Sequence, residues 1–104
     1  MSNGFAVLTA FAVCIAGGAQ AQDSAKAKAG EDVYNTYCAT CHGDGLANTG
    51  QTFDLRKLGA NERTRFDNSV MNGKNGRMPP WKGVVSDEEL DQIWNYIRAN
   101  TTAK

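Results

Sequence analysis

Cys38-Ala39-Thr40-Cys41-His42 constrains this 104-residue chain more than any other stretch. Two thiols three positions apart can each add across a vinyl group of a haem to form a thioether. The imidazole that follows at once then falls beneath the porphyrin, where a ring nitrogen ligates the iron. Tether and ligand thus come from one short segment. Two other chemistries use similar residues. A redox dithiol of the thioredoxin type wants a βαβ setting, and a structural zinc site wants a second ligand pair. The sequence offers neither, since the only other cysteine is Cys14 and His42 is the sole histidine. A single motif implies one haem c, bound covalently through Cys38 and Cys41.

The length fits one small domain, and a chain this short buries so little apolar surface that a large flat cofactor would complete its core. Its first residues are set aside from the fold. Phe5 to Gly17 is an uncharged, apolar, small-residue run leading to Ala19-Gln20-Ala21, the pattern of a secretory signal cut after Ala21. No Lys or Arg precedes that run, and an uncleaved anchor is the alternative. Cys14 follows Val13 rather than the small residue that lipoprotein processing prefers, so it reads as filler in the leader. The expected organisation is a leader over 1–21 and a haem domain over 22–104, with both remaining cysteines in the haem motif. Export and a covalent haem agree on a bacterial periplasm, with no stable membrane insertion after cleavage.

In the mature part, Asp23 to Ala29 reads as a frayed lead-in to a helix that runs through Tyr37 and delivers the motif. Ala29, Val33, Tyr34 and Tyr37 form its apolar face, and Gly30 leaves a shallow place for another helix. Gly43 to Thr52, rich in Gly, Asn and Thr, reads as a loop that crosses the histidine side, where one of its carbonyls can accept the second ring N–H of His42. Asp54 to Leu58 is a short helical turn with Leu55 and Leu58 inward. Asn61 is the expected N-cap of a helix from Glu62 to about Asn72 with Phe66 and Val70 buried, stopped by Gly73. Gly73 to Trp81 holds two glycines and the adjacent Pro79 and Pro80, which forbid a continuing helix. Ser86-Asp87-Glu88-Glu89 is a capping box, and Leu90, Ile93, Trp94 and Ile97 follow at helical spacing to about Asn100. Trp94 and Tyr96 read as core and boundary packing. With no strand-like alternation, the fold class is all-α.

An iron held by His42 needs a sixth ligand, and with no other histidine the choice falls among methionines, a lysine or water. Met78 precedes two rigid prolines that fix where its sulfur points. Met71 sits next to Val70 inside the expected helix, where core packing is the simpler role.

The helix with Gly30 and Tyr34, the Cys38–His42 motif followed by Gly43, Arg77-Met78-Pro79-Pro80-Trp81, and the capped last helix together resemble a small class I bacterial c-type cytochrome. That resemblance covers nearly all of residues 22–104. It implies a helical bundle around one haem, N- and C-terminal helices crossing beside it with Gly30 near Trp94, and Arg56 and Trp81 near the haem propionates. One feature departs from the family: the proline whose carbonyl often accepts the histidine N–H is missing, and Gln51 stands about where it is often found. Met-Pro-Pro-Trp-Lys-Gly followed by Ser-Asp-Glu-Glu is also similar to cytochromes that serve quinoprotein alcohol dehydrogenases.

With His42 and Met78 both bound to iron, no vacant site is left for substrate. The expectation is therefore a one-electron carrier, not an enzyme, working between a dehydrogenase or membrane complex and a terminal acceptor. The resemblance suggests a quinoprotein alcohol dehydrogenase as donor and a terminal oxidase as acceptor. A haem subunit bound permanently to a dehydrogenase or oxidase is the first alternative. An open-site peroxidase or gas sensor is the second, and it lacks a spare distal histidine. No nucleic-acid partner is expected of a chain with 11 basic and 11 acidic residues. Those charges are unevenly spread: Arg56 to Lys82 carries seven basic residues against two acids. That stretch would meet an acidic partner surface, or simply be solvated.

Overall fold

The computed structural model describes residues 18–102. Its elements are helices throughout: α1 (Gly18–Tyr37), the four-residue α2 (Ala39–His42), α3 (Arg63–Asn72) and α4 (Asp87–Ala99), with 3₁₀ turns at Asp44–Leu46 and Leu55–Lys57. The all-α class is as expected. Of the leader expected over 1–21, residues 1–17, with the apolar run from Phe5 and with Cys14, lie outside the described residues, while Gly18 to Ala21, where the cut is expected, form the start of α1. Among the described residues no helix is long and apolar enough to cross a membrane.

The molecule is organised by the crossing of α1 and α4. A Cβ built on Gly30 would overlap the carbonyl of Gln92, so only glycine lets the two backbones meet this closely. The crossing therefore falls at Gln92–Ile93, immediately before Trp94, near which the resemblance placed it. Tyr34, Ile93 and Ile97 fill the seam and are at most 1% exposed. Each such side chain contributes about 1.5–3 kcal/mol of burial. Across the seam Tyr34 meets Tyr96 with ring centroids 5.3 Å apart.

Helix α4 starts as its sequence dictates. Ser86 Oγ accepts from the Glu89 amide at 3.0 Å, while the Glu89 carboxylate accepts from the Ser86 amide at 2.9 Å. Helix α3 starts differently from expectation. Its N-cap is Glu62, not Asn61, and no side chain caps it; Glu62 instead accepts from the Gly59 amide at 2.7 Å, closing the preceding turn. Phe66 and Val70 are buried, and Gly73 ends the helix at φ +74°. Phe66 packs at a tilt against Trp94, with ring centroids 5.3 Å apart, and Arg63 joins Asp67 on its own helix to Asp91 on α4. Those pairs are half-exposed and contribute modestly.

Two long segments wrap this frame. In the first, Leu46 is fully buried although its φ is +66°, a costly conformation for a side chain with a Cβ. Its packing is what holds it there. The end of the first segment is tied to the end of α4, where the Arg98 guanidinium donates to the Leu58 carbonyl at 2.6 Å.

Candidate functional site

Between the wrapping segments and the helices lies a cleft of about 570 Å³, counting its open mouth. Its walls are mostly apolar: Phe53, Leu55, Leu58, Phe66, Val70 and Ile93. Three residues singled out in the sequence share it, namely Cys38, His42 and Met78.

Helix α1 brings in the first two. Its hydrogen-bonding runs on past Tyr37, with the Cys38 amide donating to Tyr34 at 2.8 Å and the His42 amide donating to Cys38 at 2.9 Å. The buried Tyr34 hydroxyl then donates to the Gly43 carbonyl at 2.6 Å, locking the residue that follows His42. Gly43 has φ +92°, and a Cβ there would overlap the Ala47 carbonyl, so the sharp exit from α2 requires glycine. Cys38 is half-buried and Cys41 exposed at the surface. Burial, reinforced by the neighbouring Cys41, pushes the Cys38 thiol up to about 11.

Burial pulls the His42 imidazole below its ordinary value, against the opposing effect of the Phe53 carbonyl, which accepts from the ring. The neutral ring, the form that ligates metal, is thereby favoured. The loop over Gly43–Thr52 does reach the ring, but with a side chain: Thr52 Oγ1 lies 3.2 Å from His42 Nδ1.

Met78 arrives on a hairpin too small to count as a strand. Lys74 and Met78 exchange amide hydrogen bonds of 3.0 and 3.1 Å, around a turn whose central residues Asn75 and Gly76 both have positive φ. Asn-Gly is the sequence preferred for such a turn, so the signal was present in a stretch that otherwise reads only as irregular. Beyond Pro79 and Pro80 the chain docks again: the Trp81 amide donates to the Val70 carbonyl at 2.8 Å, and the Trp81 ring packs on Tyr37 at 5.2 Å. Met71 faces elsewhere, in a shallow depression with Lys82 and Asp87.

The remaining candidates do not line the cleft. Arg56 is held by Asp54 through two guanidinium hydrogen bonds of 3.1 Å, and Trp81 lies against α1. The cations on the cleft wall are Arg65 and Lys74, which periodicity could not single out. Arg65 also sits 4.7 Å from the Phe53 ring centroid.

The cleft fits the cofactor that the motif implies. It is apolar and open at its mouth, Cys38 lines it while Cys41 lies exposed three residues on, and it presents one imidazole and one thioether. Among the described residues no cluster of three or more His, Cys, Asp or Glu could hold a metal ion by itself. One nitrogen and one sulfur donor suit an iron whose other four ligands come with a porphyrin.

Comparison with known proteins agrees. The family described as cytochrome c oxidase, cbb3-type, subunit III matches residues 25–97. Cytochrome c6 of Porphyra purpurea is 33% identical over 96 residues, covering 88% of this chain and 86% of the relative. Cytochrome c6 of Leptolyngbya boryana is 37% identical over 78 residues, covering 70% and 91%. The quinohemoprotein alcohol dehydrogenase ADH-IIG of Pseudomonas putida is 32% identical over 80 residues, 76% of this chain but only 11% of that enzyme. No solved structure gives a significant match. The thioether motif, the apolar cleft and these relatives converge: the chain belongs to the cytochrome c family, whose members are electron carriers with covalently bound haem c.

Proposed function

We propose that this protein is an exported single-haem electron carrier in which Cys38 and Cys41 would hold the haem through thioethers and His42 and Met78 would ligate its iron. The observation that carries the reading is that His42 and Met78 share one apolar cleft with Cys38, while Met71 faces away from it. The bound haem supplies one-electron Fe(II)/Fe(III) cycling. His42 and Met78 would ligate its iron, and the apolar walls of the cleft would exclude water from it. A methionine sulfur together with a dry site favours the ferrous state. Arg65 and Lys74 on the cleft wall are better placed than Arg56 to meet the haem carboxylates. Arg56 and Trp81 then act at one remove, by fixing the segments that carry them.

The leader over 1–21, cut after Ala21, places the carrier in a periplasm. Its partners are redox proteins, with a quinoprotein alcohol dehydrogenase as donor and a terminal oxidase as acceptor. The exposed cations Lys74 and Arg77 belong to the turn that carries Met78, Lys82 follows four residues later, and none of the three is in an ion pair among the described residues. They favour a partner with an acidic docking face. The test of the ligand set is the ferric spectrum. Met78→Ala should remove the iron–sulfur charge-transfer band and admit exogenous ligands, whereas Met71→Leu should leave the band intact. The opposite pattern would overturn the assignment.

One observation favours a second reading, that of a haem subunit bound permanently to an oxidase or dehydrogenase. The matching family is described as an oxidase subunit, and one relative is a dehydrogenase many times longer than this chain. Co-purification from native membranes in a stable complex at high salt would decide for it.

A further inference from the structure

We propose that the Thr52 hydroxyl is the positioning group that sets the tautomer and electron richness of His42, in the place where a proline carbonyl serves other members of the family. This rests on His42 being an iron ligand. Thr52 Oγ1 stands between two groups, 3.3 Å from the Cys41 carbonyl and 3.2 Å from His42 Nδ1. A hydroxyl has one proton to give. The Cys41 carbonyl can only accept, so the proton goes there, and the hydroxyl turns a lone pair to the ring. His42 Nδ1 must then carry the hydrogen and donate to Thr52. That leaves the Nε2 lone pair free for the metal, and the ring's orientation is fixed from behind.

The geometry is built by the loop itself. The Asn48 side-chain Nδ2 donates to the Thr52 carbonyl at 3.0 Å, and its Oδ1 accepts from the Gly50 amide at 2.6 Å, so Asn48 closes the loop that presents Thr52. A second acceptor near the ring is the Phe53 carbonyl. Thr49 provides an internal control: its hydroxyl reaches the same Cys41 carbonyl, at 3.5 Å, but makes no hydrogen bond to the ring.

Donation from Nδ1–H makes an imidazole a stronger donor to iron and stabilises Fe(III) relative to Fe(II). Removing the acceptor should therefore raise the reduction potential. The test uses the haem-loaded protein and reads the midpoint potential together with solvent exchange of the His42 ring N–H by NMR. Thr52→Val, which keeps the shape, should shift the Fe(III)/Fe(II) equilibrium about tenfold towards the ferrous form, or ~59 mV for one electron. It should also speed exchange of the ring proton. Thr52→Ala should act in the same direction, Thr52→Ser should restore the native values, and Thr49→Val should change neither. A native potential and a protected ring proton in both Thr52→Val and Thr52→Ala would overturn the proposal and assign the role to the Phe53 main chain. A wild-type spectrum without histidine ligation would instead overturn the ligand reading, and the proposal with it.

Discussion

The two segments that carry the proposed ligands are built on different principles. His42 extends a helix whose inner face is the fully buried seam with α4, and the hydroxyl that locks its exit belongs to Tyr34, a residue with no solvent exposure. Met78 hangs on a four-residue turn with exposed residues on both sides, held by two mutual amide bonds and by the docking of Trp81. One ligand is positioned by the core; the other is positioned by a surface turn that rests on the core at one point. The histidine side should therefore keep its shape whatever happens at the iron, and the methionine side should be the first to release. On the proposed ligand set, the site is an asymmetric clamp with a fixed jaw and a movable one.

The largest effect that can be imposed on the clamp is to cut its tether. Cys38→Ala combined with Cys41→Ala should abolish covalent attachment, read as complete extraction of haem into acidified organic solvent. Extraction from the native protein under the same conditions would contradict the thioether assignment. Next comes the fixed jaw itself. Tyr34→Phe leaves the Gly43 carbonyl without its donor and should lower unfolding free energy by about 1–3 kcal/mol, measured by denaturant titration, while the iron–sulfur band persists in the folded protein.

The movable jaw should respond in the reverse sense. Gly76→Val forces a β-branched residue to φ +68°, at a cost of about 1–2 kcal/mol. Loss should appear first as a fractional drop in the iron–sulfur band, before any change in global stability. If Tyr34→Phe dims the band more than Gly76→Val does, the two jaws have been told apart wrongly. The smallest effect concerns the cations around the turn. Lys74→Glu should slow electron transfer with the physiological partner at low salt by about 10-fold at most, and the difference should fade as ionic strength shortens the screening length below about 8 Å. A rate indifferent to both would make docking apolar.

Parts of this molecule were legible in the chain because their signals are local. The capping box and the 3.6-residue periodicity of α4 are contained within fifteen residues, and Ser86, Leu90, Ile93 and Ile97 sit as that pattern demands. The small size of Gly30 announced a close approach, although not the position on α4 that would meet it. The thioether spacing named the cofactor without any fold. Asn75-Gly76 was equally local, but its hairpin is masked by flanking glycines and prolines that read as breakers.

Other features were settled only when distant segments met. Leu46 carries no periodic signal, and a positive φ is disfavoured for it, yet the core claims it because the loop has no other large apolar side chain to bury there. Asn61 looked like a better cap than Glu62 by residue type, but the carboxylate was drawn to the Gly59 amide by the turn before the helix. Arg56 was captured by Asp54, two residues away, leaving Arg65 and Lys74 on the cleft wall. Thr52 comes to His42 across ten residues of irregular chain. The sequence by itself determined which chemistry this protein carries, because thioether spacing and helix signals act over a few residues. Tertiary structure decided which groups surround that chemistry, because a hydrogen bond or a buried contact depends on where two remote backbones are placed to within an ångström.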